Sequence, residues 1–177
     1  MGALNQSLFL WIHHFAGRYV FLDVAGIFFA NYLAYLMVVA FLVLAYYEVG
    51  WRKKFYVLCE GALAVILARG ILTELIRLFY YHPRPFVVFN FTPLIAESGS
   101  SFPSGHMMLF FALAVTVWYV NRAWGVWFLA LSAVIGVARI YVGVHWPLDI
   151  LGGAVIGLAS GIFIHWLLRE PRETLYR

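Results

Sequence analysis

Charge is what this chain has least of: Asp, Glu, Lys and Arg together make up 11% of its 177 residues, while apolar residues make up 64%. Ordinary soluble domains carry roughly 25% charged residues. A core of this size cannot hide that much apolar surface, which excludes a freely soluble domain and leaves one membrane bundle, 1–177, as the expected architecture. Cysteine is nearly absent too. Cys59 stands alone inside a hydrophobic run, so neither an internal disulfide framework nor a zinc-type cysteine cluster can form. The N-terminus has no basic stretch followed by a small-residue cleavage site, as a removable signal peptide would. It begins Met-Gly, but Gln6 stands where a myristoylation signal has Ser or Thr. The formal charge of +4 does not point to nucleic acid, because most basic residues lie in short loops between hydrophobic runs.

What is present is a series of long apolar runs. Residues 3–16 place Leu4, Leu8, Trp11, Ile12 and Phe15 at helical spacing with polar residues between them, the pattern of a short helix in the membrane interface (1–17 with its flanks). Runs of spanning length follow at 19–47, 55–79, 104–120, 123–143 and 147–168. A span needs about 20 residues. The expected fold is therefore all-α: a polytopic membrane helix bundle of five predicted transmembrane helices plus the interfacial helix. Ser104, directly after Pro103, suits the N-cap of the third span, where its hydroxyl would accept from free first-turn amides. Gly153, Gly157 and Gly161 form a small-residue stripe on the last span, the mark of close helix packing. Five spans put Arg52, Lys53, Lys54, Arg122, Arg169, Arg172 and Arg177 on one side of the bilayer. The positive-inside rule makes that side cytoplasmic.

Ionisable residues at span edges are costly and call for a reason. Three patches hold them: Arg77 to Arg84-Pro85 after the second span, Pro103-Ser104-Gly105-His106 opening the third, and Arg139 to His145 and Asp149 between the fourth and fifth. All three fall on the same, outer face by the five-span count. Three arginines around two histidines suit an oxygen-rich anion, because guanidinium forks match phosphate geometry. Ser104 and Gly105 add a helix N-terminus with free backbone amides, and glycine lets a ligand approach closely.

The roles follow from position. Asp149 lies four residues after His145, and Pro147 suits a first helical turn, so the carboxylate can reach back to one imidazole nitrogen and leave the other free to attack phosphorus. His106, in a separate patch, is available as general acid. Arg77, Arg84, Ser104, Gly105 and Arg139 are the candidate phosphate-binding residues. Because arginines can neutralise the developing charge, no metal and no cofactor are expected.

These patches resemble the signature of the type 2 phosphatidic acid phosphatase superfamily, Lys-x6-Arg-Pro, Pro-Ser-Gly-His and Ser-Arg-x5-His-x3-Asp. The matches are Arg84 and Pro85; Pro103, Ser104, Gly105 and His106; and Arg139, His145 and Asp149. Two positions depart from it: Arg77 stands where the family usually has lysine, and Ala138 replaces the serine before the arginine. The resemblance covers 77–149 and implies a membrane lipid phosphatase in which the third-motif histidine, here His145, is the nucleophile, and the second-motif histidine, here His106, is the acid. Its length resembles the small bacterial members, which act on undecaprenyl diphosphate, phosphatidylglycerophosphate or lipid A 1-phosphate. The implied location is the plasma (inner) membrane, with the site on the periplasmic or extracellular face and a membrane lipid phosphate as partner.

Other polar residues have structural expectations. Arg69 falls near mid-membrane, where Asn31 or Glu74 would satisfy it in an internal network. His82 is expected as a loop histidine that can reach a headgroup, His13 and His14 as interfacial surface, and His165 at the opposite membrane face. That last separation argues against a haem-ligating pair. A transporter or flippase gripping headgroups with the arginines is the remaining alternative, and it leaves the His145 and Asp149 spacing without a purpose.

Overall fold

The computed structural model describes residues 2–169, and every regular element among them is helical. A surface helix α1 (Ala3–His13) precedes two long helices, α2 (Val20–Tyr47) and α3 (Trp51–Phe79). A four-residue helix α4 (Pro85–Val88) follows, then α5 (Gly105–Val120), α6 (Arg122–Tyr141) and α7 (Pro147–Leu167).

Four of these, α2, α3, α6 and α7, are long and apolar enough to cross a membrane. The run expected over 104–120 is α5, whose 16 residues rise about 24 Å at 1.5 Å each. It is central nonetheless: Met107, Met108, Phe110, Ala112, Leu113, Ala114 and Val115 are all buried. A helix apolar on every side is one surrounded by other helices. Elsewhere the bundle turns its large side chains outward, as at Phe21, Val20, Leu78 and Phe79, each about four-fifths exposed.

Short connections decide the topology. One residue, Asn121, separates α5 from α6, and its side chain accepts from the Trp124 amide at 3.2 Å to cap α6. The α6–α7 turn passes through Gly143 at φ +90, a conformation that suits glycine. The α7 glycine stripe packs as expected. A methyl on Gly153 would lie 2.7 Å from the Ser104 carbonyl, and one on Gly157 would lie 2.7 Å from that of Met108, so α5 and α7 touch backbone to backbone.

Helix α3 starts at Trp51, earlier than the expected 55, so Arg52, Lys53 and Lys54 belong to its first turn. Gly50 at φ +88 breaks the preceding helix, and long basic stems can run along the helix toward water. At this end Tyr56 donates to the Leu168 carbonyl at 2.9 Å. Arg172, Arg177 and Thr174 lie outside the described residues.

Both α2 and α3 contain a π-turn, at Phe28–Tyr32 and Ile66–Leu72. Such turns insert an extra residue and re-aim the side chains beyond them. Asn31 and Arg69 sit within these two segments.

Helix α1 lies across the far end of the bundle. Phe9 is fully buried against Trp146, and Asn5 accepts from the Leu148 amide at 3.0 Å. His13 is not simply interfacial surface: it stacks on Phe9 and Phe91, and its Nδ1 lies 2.7 Å from the Tyr141 carbonyl. His165, at the opposite end, pairs with the buried carboxylate of Glu60 at 2.9 Å. A fully buried carboxylate needs such a partner.

Candidate active site

The three sequence patches converge at the end of the bundle that α1 covers. A cavity of about 600 Å³ opens there, lined by Arg77, Arg84, Gly105, His106, Arg139 and His145 among others. Each comes from a helix terminus or the turn beside it. Arg77 is in the last turn of α3, before Tyr80 leaves helical geometry, and Arg139 is in the last turn of α6. Cations at helix C-termini are favoured by the helix dipole. Gly105 and His106 open α5, whose N-terminal amides favour an anion.

His145 is only 2% exposed. Burial, opposed by the nearby Asp149 carboxylate and reinforced by Arg139 and Arg84, pushes its pKa down to about 4. The imidazole is therefore neutral at pH 7, the state in which one ring nitrogen carries a free lone pair. Its Nδ1 faces Ser101 Oγ at 3.4 Å and Asp149 Oδ2 at 3.6 Å, which leaves Nε2 as the other nitrogen.

The expected His145–Asp149 pair therefore forms at ion-pair distance, beyond direct hydrogen-bond reach. The reason is that Asp149 is already engaged. Its Oδ2 accepts from the Trp146 amide at 2.8 Å, capping α7, and from the Ser101 hydroxyl at 2.5 Å, while Oδ1 lies 3.2 Å from His82 Nδ1. Ser101 thus stands between acid and imidazole, fully buried. His82 is no free loop residue either; it steadies Asp149 and packs on Tyr80.

Ser104 is the N-cap of α5, but its hydroxyl accepts nothing from the first turn. Its amide donates instead to the Asp149 carbonyl at 3.2 Å, and its buried Oγ has no partner among the described residues. The same holds for Arg77 Nε and Arg139 Nε. Arg77 and Arg139 both line the cavity, and two unsatisfied guanidinium nitrogens there are unusual, since buried polar groups are normally paired.

Arg84 is 3% exposed and gives its donors to loop carbonyls: Gly99 at 3.2 Å, Val144 at 2.9 Å and Ser98 at 2.9 Å. It ties the 97–101 loop to the turn that carries His145. Arg77 donates to the Pro103 carbonyl at 3.2 Å, which turns it inward to the cavity and away from the membrane surface.

Glu97 lies outside the three motif patches. It forms a short ion pair with Arg139 and lies 3.4 Å from Arg84 Nη2. Burial acts to raise its pKa, but Arg139 and Arg84 outweigh it and hold the carboxyl below its ordinary value. The sequence signal for it was a lone acid in an outer loop otherwise facing arginines. Ser101 had only the Ser98-Gly-Ser-Ser run before the second motif to mark it.

Arg69 is the remaining surprise. Its Nη1 donates to Glu74 at 3.0 Å, one of the two partners expected for it, yet it also lines the cavity together with the other, Asn31. Among the described residues, no group of three or more His, Cys, Asp or Glu side chains is placed to hold a metal.

Comparisons with known proteins agree with this geometry. The chain is 30% identical to the Bacitracin transport permease protein BcrC of Bacillus licheniformis, over 92% of this chain and 80% of that one. It is also 30% identical to the Undecaprenyl-diphosphatase BcrC of Bacillus subtilis (strain 168), over 89% and 81%. The crystal structure of Aquifex aeolicus LpxE superposes with a TM-score of 0.76 at 29% identity, covering 92% of this chain and 95% of that one. The PAP2 superfamily model matches residues 60–173, the stretch that holds every motif residue named above, and the chain belongs to the PAP2 superfamily.

Proposed function

We propose that this protein hydrolyses a phosphate or diphosphate monoester of a membrane lipid through a phosphohistidine on His145. The observation that carries the reading is the meeting of two histidines from separate elements, His106 and His145, on one cavity with Arg77, Arg84 and Arg139. Nε2 of His145 attacks phosphorus while the arginine forks and the α5 amides hold the equatorial oxygens. His106 protonates the departing oxygen and then, as base, activates the water that cleaves the phosphohistidine. Ser101 and Asp149 orient the imidazole from behind. This route needs no metal.

A lipid fits because the cavity has an apolar continuation. Val38 and Leu109 line both it and a groove of about 460 Å³ walled by Phe41, Leu42, Leu58 and Leu113. An envelope lipid such as undecaprenyl diphosphate, phosphatidylglycerophosphate or lipid A 1-phosphate meets this description. The permease name of one relative keeps a second reading alive, in which the arginines only grip a headgroup for transport. Purified protein in detergent and EDTA is expected to release inorganic phosphate from such lipids. Lipid binding without release would favour the transporter, and release only on adding magnesium would end the metal-independent mechanism.

The membrane arrangement proposed is five spans with α5 as the short third one. Helix α5 runs from the catalytic end to the Asn121 turn, from which α6 returns the full depth, so an even number of crossings would split the site. Arg52, Lys53, Lys54, Arg122 and Arg169 lie toward the opposite side, a bias that supports a site on the periplasmic or extracellular face of the plasma membrane, with α1 in the interface. In a Cys59→Ser background, a cysteine at Ser98 is expected to react with a membrane-impermeant thiol reagent in intact cells or spheroplasts. A cysteine at Thr174 is expected not to. The opposite labelling pattern would put the chemistry in the cytoplasm.

A further inference from the structure

Three helices change character at the same depth below the catalytic cavity. On α3, Arg77 is followed eight residues deeper by Arg69, and then the groove residues Ile66, Val65 and Ala62 begin. On α2, Asn31 gives way to Val38 and Phe41; on α5, His106 gives way to Leu109 and Leu113. Arg69 on α3, and Asn31 with Tyr35 one turn deeper on α2, are therefore the last polar side chains before the apolar groove, and Arg69 and Asn31 each sit in a π-turn. Arg69 also leans on the second motif: a methyl on Gly105 would meet its Nε at 2.5 Å and its Cδ at 2.9 Å, which puts the guanidinium beside His106. Glu74 takes one hydrogen bond from Nη1, while a guanidinium has five N–H donors.

We propose that Arg69 and Asn31 form a second anion subsite, between His106 and the apolar groove, that holds the chain-proximal phosphate of a diphosphate headgroup and so selects diphosphate over monophosphate lipids. The inference rests on the phosphatase reading above. The ordering matches the chemistry of a lipid diphosphate: terminal phosphate in the arginine clamp, bridging oxygen at His106, proximal phosphate at Arg69, hydrocarbon in the groove. His145 Nε2 forms a bond to the terminal phosphorus, and the bond from that phosphorus to the bridging oxygen breaks. His106 gives its proton to that oxygen, so the leaving group is the lipid monophosphate, whose charge Arg69 offsets as it develops. Water then cleaves the phosphohistidine to inorganic phosphate, with a proton returning to His106. When the substrate is a lipid monophosphate, the leaving group is the lipid alcohol, which places no anion at Arg69.

The test compares kcat/KM for phosphate release from a C15 isoprenyl diphosphate and the matching isoprenyl monophosphate, with purified full-length protein in detergent. Arg69→Gln is expected to lower the diphosphate-to-monophosphate ratio by about tenfold or more, as losing a charge-assisted hydrogen bond does. Arg69→Lys is expected to give an intermediate ratio, since a point charge replaces the fork. Glu74→Gln breaks the same ion pair from the other side and is expected to hold the ratio within about threefold, because the Arg69 charge remains. An equal fall for both substrates in Arg69→Gln, or an unchanged ratio, would overturn the subsite. So would a Glu74→Gln ratio as low as that of Arg69→Gln. If Arg69→Gln yields no folded protein, a wild-type ratio in Arg69→Lys overturns it instead. Wild-type protein that releases phosphate from neither substrate would bring down the phosphatase reading and the subsite with it, whereas release from both with an unaltered ratio removes the subsite alone.

Discussion

His145→Ala is expected to abolish phosphate release, by at least about four orders of magnitude in kcat, because it removes the atom proposed to form the covalent intermediate. The neighbouring variants should separate the roles. His106→Ala leaves the nucleophile in place and should slow formation of the phosphoenzyme by roughly two to four orders of magnitude, the usual worth of general acid catalysis. Asp149→Asn and Ser101→Ala leave both histidines and act through the orientation of the imidazole, since Ser101 Oγ lies 3.4 Å from its Nδ1 and 2.5 Å from the carboxylate. Their effects should be smaller than that of His145→Ala and should appear in kcat before KM. The measurement is a rapid-quench assay with labelled substrate, in which an acid-labile, alkali-stable phosphoenzyme marks phosphohistidine. Near wild-type turnover in His145→Ala would end the covalent mechanism, and a phosphoenzyme that survives acid would assign the nucleophile to another residue type.

Arg139→Met should cost both activity and stability, for different reasons that a second substitution can separate. Arg139 is 1% exposed, its Nε has no partner among the described residues, and its Nη2 pairs with Glu97. Removing the guanidinium takes one fork from the clamp, which should lower kcat/KM by about three orders of magnitude. It also leaves Glu97 with Arg84 alone, 3.4 Å away. Breaking a buried ion pair from one side costs about 3 to 5 kcal/mol, and the partial exposure of Glu97 brings the expected loss to about 2 to 3 kcal/mol. The double variant Arg139→Met/Glu97→Gln should recover most of the thermal stability and none of the activity. Recovery of activity in the double variant would show that Arg139 serves only to neutralise Glu97.

Glu97 also has a consequence for substrate binding. In the proposed mechanism its carboxylate occupies the fork that the phosphate uses, so an incoming dianion must displace it or share Arg139 with it. Two anions competing for one guanidinium repel each other, and the loop carrying Glu97 is held to the site chiefly through Arg84.

Much of this was legible in the chain because membrane proteins write their constraints in composition. Low charge and five apolar runs gave the helices to within a few residues, apart from the early start of α3. The second and third motifs announced His106, Arg139, His145 and Asp149, since each is an ionisable residue at a span edge. Ser101 was not legible: a serine in a serine-rich loop carries no signal of burial. Glu97 was equally silent, because its meaning depends on two arginines 13 residues before and 42 after it. The capping role expected of Ser104 failed for a packing reason, as the segment is held by its amide to the Asp149 carbonyl, and the hydroxyl is left over.

By itself the sequence determined the membrane setting, the helices, and which ionisable residues stand at the helix ends, because apolar run length, proline and glycine positions and the spacing from His145 to Asp149 are local properties. Tertiary structure alone decided the rest. It inserted Ser101 between imidazole and acid, assigned His82 to Asp149, gave Glu97 to Arg139, and brought Arg69 against Gly105 across a helix contact. Each of these is a distance between residues far apart in the chain, set by how closely α5 can approach α3 and α7. That approach is governed by glycines without side chains and by two π-turns that shift helix register, and neither effect is written in the residues whose positions it decides.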